Sequence, residues 1–136
     1  MRYKFLPHTA DIKFQAFGKN LEEVFANSAL AMFNSMYEAK VKEKTKKKVT
    51  AHGKDFESLL YNFLEELLIL FDSEGFILSK VTNIKIDEKN FDLKAEVLGD
   101  DAKNYKIHLD IKAVTYNEMF VKKQGEEWIA QVVLDV

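Results

Sequence analysis

One long apolar stripe, bounded at both ends by helix-capping residues, does most to limit what this chain can fold into. Asp55 is a good N-cap, and Gly75 is well placed as a C-terminal cap. Between them, apolar side chains recur with helical spacing: Phe56, Leu59, Leu60, Phe63, Leu64, Leu67, Leu68 and Phe71. Because the stripe is wide, the sequence predicts a helix at the centre of the core.

A strand and a shorter helix are predicted before it. Residues 10–17 alternate between the two sides of a strand. Asn20 then offers an N-cap with Glu23 three residues later, in a capping-box arrangement. The apolar residues that follow have helical spacing, which predicts a helix from about 20 to 38.

After Gly75 the apolar period changes to two, which indicates strands. A short strand is also expected around Val49 and Ala51, and Gly99–Asp101 is predicted to be a loop. The later predicted strands are 76–86, 91–98, 105–115, 118–123 and 127–134. The expected fold class is therefore α+β, with two helices packed on mainly antiparallel sheet.

Composition restricts the class of protein. The 136 residues, 47% of them apolar, predict one domain spanning residues 1–136 and argue against disorder. The absence of cysteine excludes disulfides and cysteine-ligated zinc. No apolar run approaches the roughly 20 residues of a membrane helix and no signal peptide is visible, so a cytoplasmic protein is expected. The net charge of −2 argues against tight, autonomous binding of nucleic acid.

The familiar catalytic motifs are absent. The chain has no GxGxxG, P-loop, HExxH or GxSxG sequence. It has only three histidines, and nothing in their placement points to a Ser-His-Asp arrangement. The residues therefore indicate no particular reaction.

The informative candidates are acidic and lie near both ends of the chain. Asp11 begins the first predicted strand, and Asp135 lies on the polar side of the last one. Val136 follows, so its α-carboxylate is expected beside the Asp135 side chain. If the first and last strands are neighbours, these carboxylates form a cluster that suits Ca²⁺, Mg²⁺ or Mn²⁺. The alternative, which spacing alone favours, is that both aspartates are ordinary exposed residues at strand ends.

Three further groups have a functional and an ordinary interpretation. His8 is either a ligand or orienting group, or a turn residue with a local hydrogen bond. Lys46, Lys47 and Lys48 belong to a lysine-rich stretch that is either a phosphate-contacting patch or a solvated loop running into a strand. The polar row of one predicted strand is either a solvated sheet face or a partner-binding surface: Lys106, His108, Asp110 and Lys112.

Several segments, taken in order, resemble the archease family. The match runs from about residue 5 to the last residue, and the order of the segments is more specific than any one of them. The segments are His8-Thr9-Ala10-Asp11-Ile12, Gly18-Lys19-x-Leu21-Glu22-Glu23-x-Phe25-x-Asn27, Asn62-Phe63-Leu64-x-Glu66-Leu67-Leu68-x-Leu70-Phe71-Asp72, Lys112-Ala113-Val114-Thr115-Tyr116 and Trp128-x-Ala130-x-Val132-x-Leu134-Asp135-Val136.

The resemblance implies a fold and a function. The fold is a strand-helix-strand-strand module with a related unit inserted. Archeases assist the RtcB-type tRNA-splicing ligase: they promote guanylylation of its active-site histidine, support multiple turnover and broaden nucleotide use. The resemblance therefore implies a non-catalytic activator that meets tRNA only through the ligase.

The resemblance also implies a divalent-metal site. Its ligands match Asp11, Asp135 and Val136, with Ca²⁺ the first expectation and Mg²⁺ or Mn²⁺ the alternatives. His8 and Lys112 are candidates for contact with the ligase or for orienting the site. Two departures stand out, because many members have histidine at Asn117 and a Lys-His pair at Asn104-Tyr105.

Two other functions remain open at this point. One is a metal-dependent hydrolase that uses Asp11 and Asp135, although the sequence indicates neither a positioned base nor a substrate pocket. The other is a stand-alone RNA-binding or chaperone-like module that uses the lysines at 40–48.

Overall fold

The computed structural model, which describes all 136 residues, contains two helices and seven strands. The strands are β1 (Tyr3–Leu6), β2 (Asp11–Gly18), β3 (Thr45–His52), β4 (Phe76–Asp87), β5 (Asp92–Asp101), β6 (Ala113–Gln124) and β7 (Glu127–Asp135). The helices are α1 (Leu21–Asn34) and α2 (Phe56–Glu74), and a 3₁₀ turn spans Ala102–Asn104. The predicted α+β class is confirmed.

The strands form two antiparallel sheets, and each belongs to a strand-helix-strand-strand module. The outer module consists of β2, α1, β6 and β7, and its sheet has the order β1-β2-β7-β6. The inserted module consists of β3, α2, β4 and β5, and its sheet has the order β3-β5-β4. In both, the last strand of the module lies in the middle of its three strands. The inserted-module architecture that the resemblance implied is thus confirmed.

The two modules repeat local contacts at a constant interval along the chain. Gly18 and Gly53 each leave no room for a Cβ beside the helix that follows them. Asn27 donates to the carbonyl of Phe17 across 2.7 Å, and Asn62 donates to the carbonyl of His52 across 2.7 Å. These recurring contacts fix the strand-to-helix corner in the same way in both modules.

Helix α2 has the predicted boundaries and the predicted caps. The Asp55 side chain accepts from the Ser58 N–H across 2.7 Å, and the Ser58 hydroxyl completes the capping box. Gly75 ends the helix in the left-handed conformation, with φ 67°. The core side of the helix is buried along its length: Leu59, Leu60, Phe63, Leu64, Leu67 and Leu68.

Helix α1 ends at Asn34 rather than near residue 38. The Ser35 hydroxyl donates to the carbonyl of Met32 across 2.6 Å, which gives this backbone an alternative to continued helix. Met36 and Tyr37 nevertheless remain buried, and the Tyr37 hydroxyl donates to the carbonyl of Leu78 across 2.8 Å. Their burial maintains the apolar pattern beyond the helix.

The predicted loop at Gly99–Asp101 is wrong, because these residues are the end of β5 and pair with β4. Asp100 is buried and accepts from the Tyr105 hydroxyl across 2.8 Å and from the Asp101 N–H across 2.7 Å. The polar, glycine-containing sequence imitates a loop, whereas the glycine actually permits a close approach to the carbonyl of Ile77.

The predicted strand at 105–115 is also wrong over most of its length, since residues 106–112 have no sheet partner. Their backbone is held by His108, whose N–H donates to the carbonyl of Met36, and by Lys112, whose N–H donates to the carbonyl of Asp135. The alternation arises because Ile107 and Ile111 pack against the core while their neighbours point outward. The polar row of Lys106, His108, Asp110 and Lys112 is therefore not a sheet face.

Three smaller differences concern strand boundaries. β1 has no counterpart in the sequence prediction, and it pairs with β2 at the sheet edge. The end of the strand predicted at 105–115 and the strand predicted at 118–123 form one strand, β6, whose register against β7 shifts between Thr115 and Phe120. β3 begins at Thr45, so Lys46, Lys47 and Lys48 lie in a strand and not in a loop.

Neither helix combines the length and apolarity needed to cross a bilayer.

Gly99→Ala should lower stability sharply, because the new Cβ would lie 1.9 Å from the carbonyl oxygen of Ile77 in the paired strand. We expect a loss of about 3 kcal/mol, or roughly 10 °C in melting temperature, as for other overpacked sites. Gly125→Ala is the control: it has φ 66° and no atom within 4 Å, so only a backbone cost of about 1 kcal/mol applies. Thermal unfolding measures both. Equal, small losses of stability in the two variants would indicate that Gly99 lies in an open loop.

Candidate functional site

The register between β2 and β7 brings the two predicted acidic residues together. Asp11 is the direct partner of Asp135, and one step inward Ile12 is the partner of Leu134. Residues opposite each other in an antiparallel pair have Cβ atoms about 5 Å apart. The condition on which the acidic cluster depended, that the first predicted strand and the last are neighbours, is thus met.

His8 and Glu118 extend this acidic end of the outer sheet. The His8 Nε2 atom lies 3.0 Å from Glu118 Oε2, and His8 Nδ1 lies 3.5 Å from Asp11 Oδ2. Lys13 Nζ lies 3.1 Å from the other Glu118 oxygen. The structure therefore places His8 at the candidate site and adds Lys13 and Glu118, which sequence reasoning missed.

Glu118 reaches the site because β6 is irregular at this point. The residue has φ 54°, in the left-handed region, and lies within the register shift between Thr115 and Phe120. Its carbonyl accepts from Gln131 Nε2 across 2.8 Å, while Gln131 Oε1 accepts from Gln15 Nε2 across 2.9 Å. The only sequence signal was the break in alternation after residue 115, which indicates an irregularity but not its direction.

Hydrogen bonds keep Glu118 ionised. The bond from His8 lowers the pKa of the Glu118 carboxyl most, and the bond and charge of Lys13 lower it further. The Nδ1 atom of His8 is buried and has no hydrogen-bond partner. It lies close to the Asp11 carboxylate but is not aligned with it. Such an atom is rare in folded proteins and points to an additional partner at this position.

The acidic pair provides donors of the kind that a hard cation prefers. No group of three His, Cys, Asp or Glu side chains is arranged to hold a metal ion. Asp11 and Asp135 provide two carboxylates on adjacent strands, and Val136, whose side chain packs against the core, follows Asp135 directly. Carboxylate oxygens are the ligands preferred by Ca²⁺, Mg²⁺ and Mn²⁺. Asp11 and Asp135 thus supply two carboxylates of the kind that such an ion prefers, and the predicted metal site stays a prediction.

The other predicted site residues lie around or away from this cluster. Lys112 is adjacent, since its N–H donates to the Asp135 carbonyl across 2.8 Å, and it is exposed. Lys46 and Lys47 are in the inserted module, paired with Glu96 across 3.4 Å and with Glu74 across 2.7 Å, respectively. The lysines at 46 to 48 are not brought to the acidic site, and Lys47 does not share a strand face with the other two.

The two departures from the family pattern have different surroundings. Tyr105 is tied into the inserted module, where its hydroxyl donates to buried Asp100 across 2.8 Å and accepts from the Lys42 N–H across 2.9 Å. Asn117 is exposed in the irregular part of β6, beside Glu118. Tyr105 therefore has a structural contact, whereas Asn117 lies next to the candidate site.

Comparison with known proteins agrees with this architecture. The model of the archease protein family matches residues 3–136. The archeases of Methanosarcina barkeri and Pyrococcus abyssi are 42% and 39% identical to the chain, over 99% of it and 96% and 99% of their own lengths. The solution structure of protein 1598 of Methanobacterium thermoautotrophicum has a TM-score of 0.84, 34% identity and 99% coverage of both chains.

An archease from Thermotoga maritima, with a TM-score of 0.65 and 22% identity over 98% of this chain and 96% of its own, shares the fold. The family match across almost every residue and the end-to-end similarity to named archeases show that the chain belongs to the archease family.

Proposed function

We propose that this protein is a non-catalytic activator of an RtcB-type RNA ligase and acts in the cytoplasm beside that ligase. In this proposal the acidic end of the outer sheet binds one divalent cation, first of all Ca²⁺, through Asp11, Asp135 and the α-carboxylate of Val136. The protein promotes guanylylation of the ligase and its return to a new round of joining. It meets tRNA through the ligase.

The pairing of Asp11 with Asp135 is the observation that carries this proposal. Two carboxylates held opposite each other repel unless a cation or a proton lies between them. The family-level resemblance assigns a metal to these residues, and the register of β2 and β7 gives that assignment a rigid scaffold. A cation there would neutralise the pair and connect the two strands.

The residues around the pair have positioning roles. Glu118 receives His8 and Lys13 on its two oxygens, which orients the imidazole with Nδ1 toward Asp11. Lys112 extends from the segment that crosses the end of β7 and is a candidate for contact with the ligase. These groups shape a charged surface for docking and hold the carboxylates that bind the cation.

The alternative hypothesis, a metal-dependent hydrolase that uses the same residues, has less support. The largest of the five main surface recesses, about 450 Å³, is lined by residues of β3, β5 and α2. None of those five recesses includes Asp11 or Asp135 among its lining residues. Enzymes collect their reacting groups in a pocket that holds the substrate, so the surface position of the pair favours an activator.

Adding this protein in substoichiometric amounts to a cognate RtcB-type ligase with GTP, Mn²⁺ and RNA should increase both ligated product per ligase and the ligase–GMP adduct. The reason is that an activator is released after each round and used again. Gel assays of product and adduct, with the ligase alone and this protein alone, measure the effect. Unchanged adduct yield and turnover would contradict the activator role, and product from this protein alone would indicate an enzyme.

Asp11→Ala and Asp135→Ala should each abolish activation with little loss of fold, because both residues lie at strand ends and neither truncation opens a core cavity. The matched control is Asp72→Ala, an exposed aspartate at the far end of α2 that should activate normally. The assay is ligase turnover at saturating activator. Normal activation by both site variants would show that the acidic pair is ordinary surface.

A Gly-Ser tail after Val136 should impair activation and metal binding, because it converts the terminal carboxylate into a neutral amide. The control is the same tail before Met1, which is 90% exposed. At 100 times its dissociation constant, Ca²⁺ should stabilise the untailed protein by about 2.7 kcal/mol. This shift in melting temperature should shrink in the C-terminally tailed protein only. Equal metal shifts in both tailed proteins would remove Val136 from the ligand set.

A further inference from the structure

The outer face of the inserted sheet has a recess lined by three lysines. Lys48 lies on β3, Lys94 on β5 and Lys85 on β4, and all three are exposed. The recess has a volume of about 380 Å³, and Thr50 and Asn83 add uncharged polar groups to its lining. This surface belongs to the other module and shares no residue with the acidic site.

These three lysines have no carboxylate within ion-pair distance, unlike their neighbours. Lys46 pairs with Glu96, Lys47 with Glu74 and Lys80 with Glu43, at distances from 2.7 to 3.4 Å. Glu96 is the one acid in the lining, and it accepts from the Asn83 amide as well as from Lys46. The recess therefore keeps a positive excess in the folded protein.

The strand register places two of these cations directly opposite each other. Lys94 on the central strand has Lys85 as its partner on one side and Thr50 on the other. Like charges at opposite positions of an antiparallel pair destabilise a sheet. An anion bound between the two lysines would remove that repulsion. The repulsion lowers the stability of the unliganded sheet, and a bound anion can offset this loss.

At the equivalent positions of the outer module, the lysine charge is neutralised by an ion pair. Lys13 and Glu118 form an ion pair there across 3.1 Å. The interval that relates Gly18 to Gly53 also relates Lys13 to Lys48 and Asn83 to Glu118. Lys48 and Asn83 are therefore the counterparts of this ion pair in the inserted module. Asn83 has φ 47° and Glu118 has φ 54°, so both lie in the left-handed region, but Asn83 provides an amide where Glu118 provides a carboxylate. The acid opposite Lys48 in the strand register is Glu96, which pairs with Lys46. By strand register, the counterparts of Lys85 and Lys94 are Phe120 and Gln131, neither of which is charged.

We propose that this recess binds the phosphodiester backbone of a nucleic acid and does not read its bases. Lysine ammonium groups with threonine and asparagine side chains are the groups that contact phosphates in proteins. The lining contains no aromatic residue on which a base could stack and no arginine. Cores of protein interfaces are enriched in aromatic residues and arginine and depleted in lysine, which argues against an acidic protein as the occupant. This binding goes beyond ligase activation and does not depend on the metal site.

The test compares two triple variants of equal charge in direct binding of fluorescently labelled 20-nucleotide U and A homopolymers, as RNA and as DNA. Lys48→Gln, Lys85→Gln and Lys94→Gln together remove the recess cations. Lys19→Gln, Lys54→Gln and Lys123→Gln together remove three exposed lysines elsewhere. Fluorescence anisotropy is measured from 50 to 200 mM NaCl, and thermal unfolding confirms that both variants fold.

The unmodified protein should bind weakly and lose roughly 20-fold in affinity over this salt range, since about 0.7 counterion is released per single-strand phosphate contact. The recess variant should bind at least about tenfold more weakly at 50 mM NaCl, and its log–log salt slope should be smaller by about 2. The control variant should retain most of the affinity and slope. RNA and DNA of either base should bind within about threefold of one another, because only phosphate is contacted.

Several results would overturn the proposal. They are no binding by the unmodified protein at 50 mM NaCl, equal losses in the two variants, a strong preference for one base or one sugar, and tighter binding of poly-glutamate than of either nucleic acid. Failure here is distinct from failure of ligase activation, because formation of the ligase–GMP adduct can be measured without RNA. The recess variant should support that adduct as well as the unmodified protein does.

Discussion

The pairing of β2 with β7 is the contact on which the rest of the structure depends. It runs from Asp11 opposite Asp135 to Gly18 opposite Trp128 and closes the outer module around the inserted one. Its inner face contributes Phe14, Ala16 and Val132 to the core. A slip of one residue would exchange the two faces of a strand and bury its polar side chains. The apolar alternation that stabilises the core is therefore also what holds the two carboxylates opposite each other.

The helices connect the two sheets through their glutamates. Glu22 of α1 accepts from the Ile86 N–H of β4 across 3.4 Å, and Glu57 of α2 accepts from the Val121 N–H of β6 across 3.1 Å. Glu65 accepts similarly from the Val114 N–H across 3.3 Å. Each helix thus satisfies backbone donors on an edge strand of the other module's sheet. Because unpaired edges promote strand addition by other chains, this exchange both joins the modules and protects their edges.

The features that could be predicted from sequence are those with a local cause. Helix α2 was recognisable because its caps and its apolar stripe lie within one segment. Gly99 and Asp100 imitated a loop because their partners on β4, Leu78 and Ile77, become neighbours only through folding. Of the candidate site, strand periodicity placed both aspartates on polar strand ends, but it did not show that the two strands are neighbours, and the metal site was implied by the family resemblance. Glu118 could not be predicted, because a register shift and a left-handed residue bring it beside His8.

Net charge is a poor guide to what such a duplicated fold can bind. The value of −2 is an average over two modules with different surfaces. Charges act over a Debye length of about 8 Å at physiological salt, so a ligand responds to the nearest few side chains and not to the total. In the outer module Glu118 pairs with Lys13, whereas in the inserted module the equivalent residue is Asn83, and Glu96, which lies opposite Lys48, pairs with Lys46. A carboxylate in one module and an amide at the equivalent backbone position of the other thus give the two surfaces different local charge.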